Sequence, residues 1–208
     1  MMNAIHSKSS YLYGQIRRDL QAGRYLPGQR IDPATVAGEY RTSLTPVRFA
    51  LSRLVGYGML CDQPRAGFHV PMPTEMQLRD LYDWMERLLV MACEFTAARP
   101  LEAAPAPMPG DDDIPKQTWK LFDTIGRQTR HGALHHAIKR TNDRLAAIRR
   151  AKHELIDHAG EELVDLERAW QARDMPRLDS ALRAYHQRRR QLVPCIVAHI
   201  AERRSQLH

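Results

Sequence analysis

The chain has 208 residues, 43% of them hydrophobic, with 31 Lys and Arg against 24 Asp and Glu for a formal charge of +7. That length bounds it to one ordinary domain or, as a better fit, two small ones, each able to bury a core, and the positive balance favours partners that carry phosphate. Cys61, Cys93 and Cys195 are far apart and form no Cys-x-x-Cys pair, which excludes a disulfide framework and a zinc finger. Met1 to Lys8 hold no apolar signal core, and the longest apolar run, Leu88 to Cys93, is far too short to span a bilayer, so a cytoplasmic, reducing location away from the membrane is expected.

In chain order, Tyr11 to Ala22 places Leu12, Ile16 and Leu20 four apart, one apolar stripe of a helix that Gly23 ends. Pro27-Gly28 turns the chain. Asp32 is placed to cap a short helix, Pro33 to Tyr40. Ser43 is placed to cap the next through its hydroxyl, with Pro46 among early positions whose N–H has no helical partner anyway. In that helix Val47, Ala50, Leu51 and Leu54 fall at i, i+3, i+4 and i+7, while Thr45, Arg48, Ser52 and Arg53 project away. Two short helices with a tight joint make a helix-turn-helix candidate. Gly56-Tyr57-Gly58 ends the second helix, and the strand-like runs Met59 to Gln63 and Phe68 to Val70 flank Pro64-Arg65-Ala66-Gly67, a hairpin wing with Arg65 at its tip.

A helix of this kind offers its N-terminal face to base edges in the DNA major groove. Arg48 lies one turn on from Leu44 and Thr45, and an arginine there can take guanine O6 and N7 as a bidentate pair. Thr45 and Ser43 are short donors suited to phosphate, Thr42 and Arg41 stand at the joint, and Leu44 can offer a thymine methyl only apolar contact. Arg65, with Gly67 allowing close backbone approach, suits the adjacent minor groove. The plainer alternatives are a solvated charged face on the helix and an exposed hairpin charge on the wing.

From about Thr74 onward the pattern is helical. Leu78, Leu81, Met85, Leu88, Ala92 and Phe95 make a stripe three and four apart, which ends near Arg99-Pro100. The segment 100–115, with five prolines and Asp111-Asp112-Asp113, reads as a loop. Further helices are expected from about Gln117 to Arg140, Asp143 to about Asp157, Glu161 to Arg173 and Met175 to Arg204, and no strand pattern appears.

The order Leu-Pro-Gly-Gln-Arg-Ile, short helix, Ser-Leu-Thr-Pro-Val-Arg-Phe-Ala-Leu-Ser-Arg-Leu, Gly-Met-Leu and Pro-Arg-Ala-Gly-Phe-His-Val, from about residue 11 to about 71, resembles the winged helix-turn-helix of GntR-family bacterial transcription regulators. Where that family usually has Gly-Val-Ser-Arg-Thr-Pro-Val-Arg-Glu-Ala-Leu, this chain has Arg41-Thr42-Ser43-Leu44-Thr45-Pro46-Val47-Arg48-Phe49-Ala50-Leu51. Leu44 thus replaces a base-reaching arginine and Arg41 is a gain, which implies an operator of its own. The helical second half is similar to the FCD domain of the FadR branch, through Leu134-His135-His136-Ala137-Ile138, Asn142-Asp143-Arg144-Leu145 and Ala169 to His186.

That second resemblance implies a small-molecule effector, a dimer contact and, in many members, a metal held by an Asp-x-x-x-His pair and two later histidines. His131 stands in the place of the Asp, His135 and His186 match two histidines, and Val164 falls at the remaining one, with His158 a nearby substitute. Three ligands could hold a borderline divalent metal such as Zn²⁺ or Ni²⁺, the alternative being solvated or core histidines. Met85 stands where FCD domains often carry an acid-gripping arginine, so Met85 and Trp84, with Met91 and Trp119, line an apolar pocket or simply fill the core.

The expected fold is therefore mostly α, with a winged helix-turn-helix over residues 1–73 and an all-helical effector-binding and dimerisation domain over 74–208. The expected function is a dimeric, non-enzymatic repressor that binds double-stranded DNA at a short inverted repeat and responds to a small effector. A DNA-binding protein whose helical half only oligomerises stands as the rival. A metal-dependent hydrolase using His131, His135 and His136 is disfavoured, because no carboxylate base accompanies them at a motif spacing and His136 points about 100° away from His135.

Overall fold

The computed structural model describes residues 2–97 and 113–205, and they divide into two compact units. One unit holds the chain up to Met72 together with Ala146–Ala151 and the segment from Ile200 on; the other holds Pro73–Leu145 and Lys152–His199. Most of the expected loop at 100–115 lies outside the described residues.

In the first unit α1 (Met2–Gln21) begins well before Tyr11, then come β1 (Arg30–Ile31), α2 (Pro33–Glu39), α3 (Leu44–Tyr57), β2 (Cys61–Gln63) and β3 (Gly67–His69). Leu12, Ile16 and Leu20 of α1 pack with Val47, Ala50, Leu51 and Leu54 of α3, each at most 3% exposed, so both apolar stripes meet in one core. Asp32 caps α2 by accepting from the Thr35 N–H at 3.2 Å. Ser43 has the extended backbone of an N-cap but makes no side-chain cap bond, so its hydroxyl is not spent there. The sheet is antiparallel in the order β1-β3-β2, with Ile31 opposite Phe68 and Asp62 opposite Phe68 on the other edge. β1 is absent from the sequence reading, since two residues carry no alternation and become a strand only by pairing with β3, nearly forty residues on.

The second unit is helical: α4 (Glu75–Ala97), α5 (Ile114–Gln128), α6 (Gly132–Ala151), α7 (Ala159–Gln171), α8 (Met175–Gln191) and α9 (Val193–Ser205), with the last turns of α6 and α9 grouped in the first unit. Thr74 and Gln77 form a reciprocal capping box at the start of α4, at 3.2 and 3.0 Å. Asp113 caps α5 and Asp174 caps α8, each accepting an N–H at 3.0 Å, and Pro115 opens α5 rather than lying in a loop.

Two expected helices are each broken, and one expected break is absent. The run from Gln117 to Arg140 is cut at Thr129–His131. There the Thr129 hydroxyl donates back to the Gly126 carbonyl at 2.7 Å and Arg130 turns left-handed at φ +51. The run from Met175 to Arg204 is cut at Leu192, because Pro194 suits only the first turn of a new helix. Conversely α6 runs unbroken through Asp143. Leu78, Met85, Leu89, Leu121, Phe122, Ile125, Ile138, Leu178 and Leu182 are fully buried and form the unit's core. No described helix is long and apolar enough to cross a membrane.

Candidate nucleic-acid interface

The joint between α2 and α3 is a Schellman turn: Thr42 N–H donates to the Ala37 carbonyl at 3.0 Å and Arg41 N–H to Gly38 at 3.2 Å, with Arg41 left-handed at φ +48. That conformation suits glycine, and an L side chain there costs on the order of 1 kcal/mol. Arg41→Gly is therefore expected to stabilise the first unit by about 1 kcal/mol, read as a raised melting temperature; a lowered one would mean that the Arg41 side chain itself holds the turn. Asp19 fixes α2 against α1, accepting from the Tyr40 hydroxyl at 2.6 Å and pairing with Arg24, which also reaches Glu39 at 2.8 Å. Burial first, and then the hydrogen bond to Asp19, raise the Tyr40 phenol well above its ordinary range, so it stays a donor.

This scaffold leaves one face of α3 open. Arg41, Ser43, Leu44, Thr45 and Arg48 are exposed, and Thr42 is half-buried. Among the described residues Arg48 makes no hydrogen bond or ion pair, so its fork of donors is available to a ligand. Arg53 differs: it donates to the Ser10 hydroxyl at 3.2 Å and lies over the Tyr13 ring at 4.4 Å, which ties it to α1. Pro46, whose only expected role is its missing N–H, is buried beneath the helix start.

At the wing, Ala66 N–H donates to the Gln63 carbonyl at 3.1 Å across a Pro64-Arg65 turn. Arg65 takes φ +67, the position that usually requires glycine, and Gly67 follows at φ +76 with open space around it. The Arg65 side chain is exposed at the hairpin tip, as the sequence pattern places it. Sequence reasoning missed one exposed member of the α3 face, Phe49, which is 58% exposed. Its spacing from Thr45, four residues on, was the available signal.

The candidate metal and effector residues fall elsewhere. His131 caps α6, its Nδ1 accepting the Leu134 N–H at 3.2 Å, with its ring edge-on to Phe95. His135 Nε2 pairs with Asp123 at 2.9 Å, and Asp123 also accepts from Arg127 at 2.6 Å. Burial alone would raise the Asp123 carboxyl, but these two partners outweigh it and hold it below its ordinary value. His186 is fully buried, 2.8 Å from the Leu182 carbonyl through Nδ1 and stacked on Phe122. Among the described residues no three His, Cys, Asp or Glu are grouped to hold a metal, so His131, His135 and His186 do not converge as the resemblance implies. The reason is local, since the helix starts at Gly132 and makes His131 its cap instead of a helix-face ligand. His158 is exposed beside Glu161, and Val164 is exposed. Met85 lies in the core while Trp84 is 50% exposed, so the two do not line one pocket; neighbours on a helix point about 100° apart.

Residues 8–70 match the family model described as bacterial regulatory proteins, gntR family. A curated relative, an uncharacterised HTH-type transcriptional regulator, BphR, of Paraburkholderia xenovorans, is 33% identical over 82 residues, 39% of this chain and 32% of its own length. The chain thus spans about a third of that relative. Among solved structures, E. coli McbR/YncC is similar in fold with a TM-score of 0.65 at 20% identity, over 89% of this chain and 96% of that one. A putative transcriptional regulator GntR from Rhodococcus sp. RHA1 gives 0.60 at 16% identity, over 90% and 97%. The family-model match lies wholly within the winged helix-turn-helix, so residues 8–70 carry a gntR-type DNA-binding module.

Proposed function

We propose that this protein is a transcription regulator that binds double-stranded DNA as a homodimer, with α3 in the major groove and the Arg65 wing on the adjacent minor groove. The observation that carries the reading is Arg48, exposed and without a partner among the described residues on the open face of α3, while Arg53 on the same helix is tied down. One winged module makes too few base contacts for genomic specificity, which favours two copies on a short inverted repeat. In this reading the helical unit supplies the dimer contact and takes a small effector. An effector that prefers one arrangement of the modules must change operator affinity by the same coupling factor, typically about 1–3 kcal/mol. We read the protein as a cytoplasmic repressor released by its effector, a binding protein with no catalytic role.

A second reading keeps the DNA module and gives the helical unit oligomerisation alone. It is favoured by the burial of Met85 in the core and by the engagement of His131 and His135 in the protein's own hydrogen bonds. Selection of duplexes from a random pool by the full chain tests the shared claim: an enriched inverted repeat supports it, and a pool without any enriched sequence contradicts it. Thermal shift with Zn²⁺, Ni²⁺ and a panel of small organic and aromatic acids separates the two readings; stabilisation by any of them favours the sensor, and none favours the scaffold.

A further inference from the structure

The open face of α3 is less polar than a helix bound only to phosphate requires. At 100° per residue, Arg48, Ser52, Thr45 and Phe49 fall in that order across a sector of about 100°, with Leu44 about 40° beyond Arg48. Phe49 and Leu44 are 58% and 43% exposed, two of only seven large hydrophobic side chains so exposed among the described residues. Neither belongs to the core cluster of its unit, and Phe49 makes no ring contact among the described residues. A single exposed apolar side chain is ordinary. Here, however, an aromatic ring shares the open face with Arg48, at the opposite edge of the sector, within the first two turns of the helix, the part that a helix-turn-helix brings closest to base edges.

We propose that Phe49 is a specificity-determining residue whose ring packs on the C5-methyl group of a thymine in the major groove, next to the guanine taken by Arg48. The chemistry is selective, because thymine alone among the four bases presents a methyl group there, and Phe49 has no donor or acceptor with which to read any other edge. Thr45 and Ser52 fall between the ring and Arg48 with exposed hydroxyls that can meet phosphate or base, so no charge is buried as the ring enters the groove. The inference rests on α3 being the reading helix.

The test uses the full chain and the duplex it selects from a random pool. Each thymine of one half-site is replaced in turn by deoxyuridine, which removes only the methyl group, and affinity is measured by fluorescence anisotropy. At one thymine the wild type is expected to lose about fourfold, the worth of one buried methyl-sized group. Phe49→Ala is expected to bind the thymine duplex more weakly and to show no further loss at that position, with an unchanged melting temperature because the side chain is exposed. Phe49→Leu keeps the dependence on the methyl. A selected site that tolerates uracil everywhere, or a uracil effect equally large in Phe49→Ala, overturns this inference and leaves the reading helix standing. A pool in which no sequence is enriched overturns both.

Discussion

Arg48→Ala is expected to weaken binding to the selected duplex by roughly 5- to 150-fold, the 1–3 kcal/mol that one bidentate arginine–guanine pair contributes to discrimination. Binding to unrelated duplex should change far less, since that affinity comes from the summed phosphate contacts and one cation in many is lost. The fold should be untouched: Arg48 is exposed and supports no neighbour, whereas Val47 and Ala50 on either side of its turn are fully buried. Anisotropy titrations on specific and scrambled duplexes, with thermal melts of both proteins, check all three statements. Arg53→Ala makes the contrast, because its losses are the Ser10 hydrogen bond and the Tyr13 contact and hence fall on stability.

Phe122→Ala is expected to destabilise the helical unit by about 3–5 kcal/mol, the range for deleting a buried aromatic side chain. Phe122 is 0% exposed, meets the Tyr185 ring edge-on at 5.5 Å and lies over the His186 ring at 5.9 Å. Its removal opens a cavity beside a buried imidazole that α5 and α8 cannot both move to fill, since Trp119 and Asn142 lock α5 to α6 through the Trp119 carbonyl at 2.8 Å. Urea denaturation reads the loss directly. A loss under about 1 kcal/mol would mean that the site collapses around the missing ring, and Phe122→Leu, which keeps most of the volume, should cost less than the alanine.

The winged helix-turn-helix half was legible because its determinants are local. The cap at Asp32, the four-residue spacing of Leu12, Ile16 and Leu20, the stripe through Val47 and Leu54, and the Pro64-to-Gly67 turn each depend on a few adjacent residues, and the fold obeys them. What escaped depends on partners distant in sequence or on choices between equal local options. β1 exists only against His69 and Phe68. Ser43 was a good cap by type, yet its hydroxyl makes no cap bond. Phe49 reads as a core residue by type and as an outward one by position, and position prevails because Val47 and Ala50 already fill the buried face.

The histidines illustrate the limit of spacing. His131 and His135 are four apart, which predicts one helix face only where both lie inside the helix; the start at Gly132 turns the first into a cap and leaves the second to Asp123. The same rule, used within an uninterrupted helix, placed Thr45 and Arg48 on the open side correctly. Helix ends were the weak point throughout the second unit, where Thr129, Arg130 and Pro194 broke runs that apolar periodicity alone would continue.

Whether Arg48 on α3 reads a base edge is decided by pairing the substitution with a single-atom change in the DNA. In the selected duplex each guanine of a half-site is replaced by 7-deazaguanine, which removes the N7 acceptor, and both proteins are titrated against every duplex. At one guanine the wild type is expected to lose affinity and Arg48→Ala to lose nothing more, the two changes being non-additive because they delete the same contact. Additive losses at every guanine, or a wild type indifferent to all of them, would contradict base reading by Arg48.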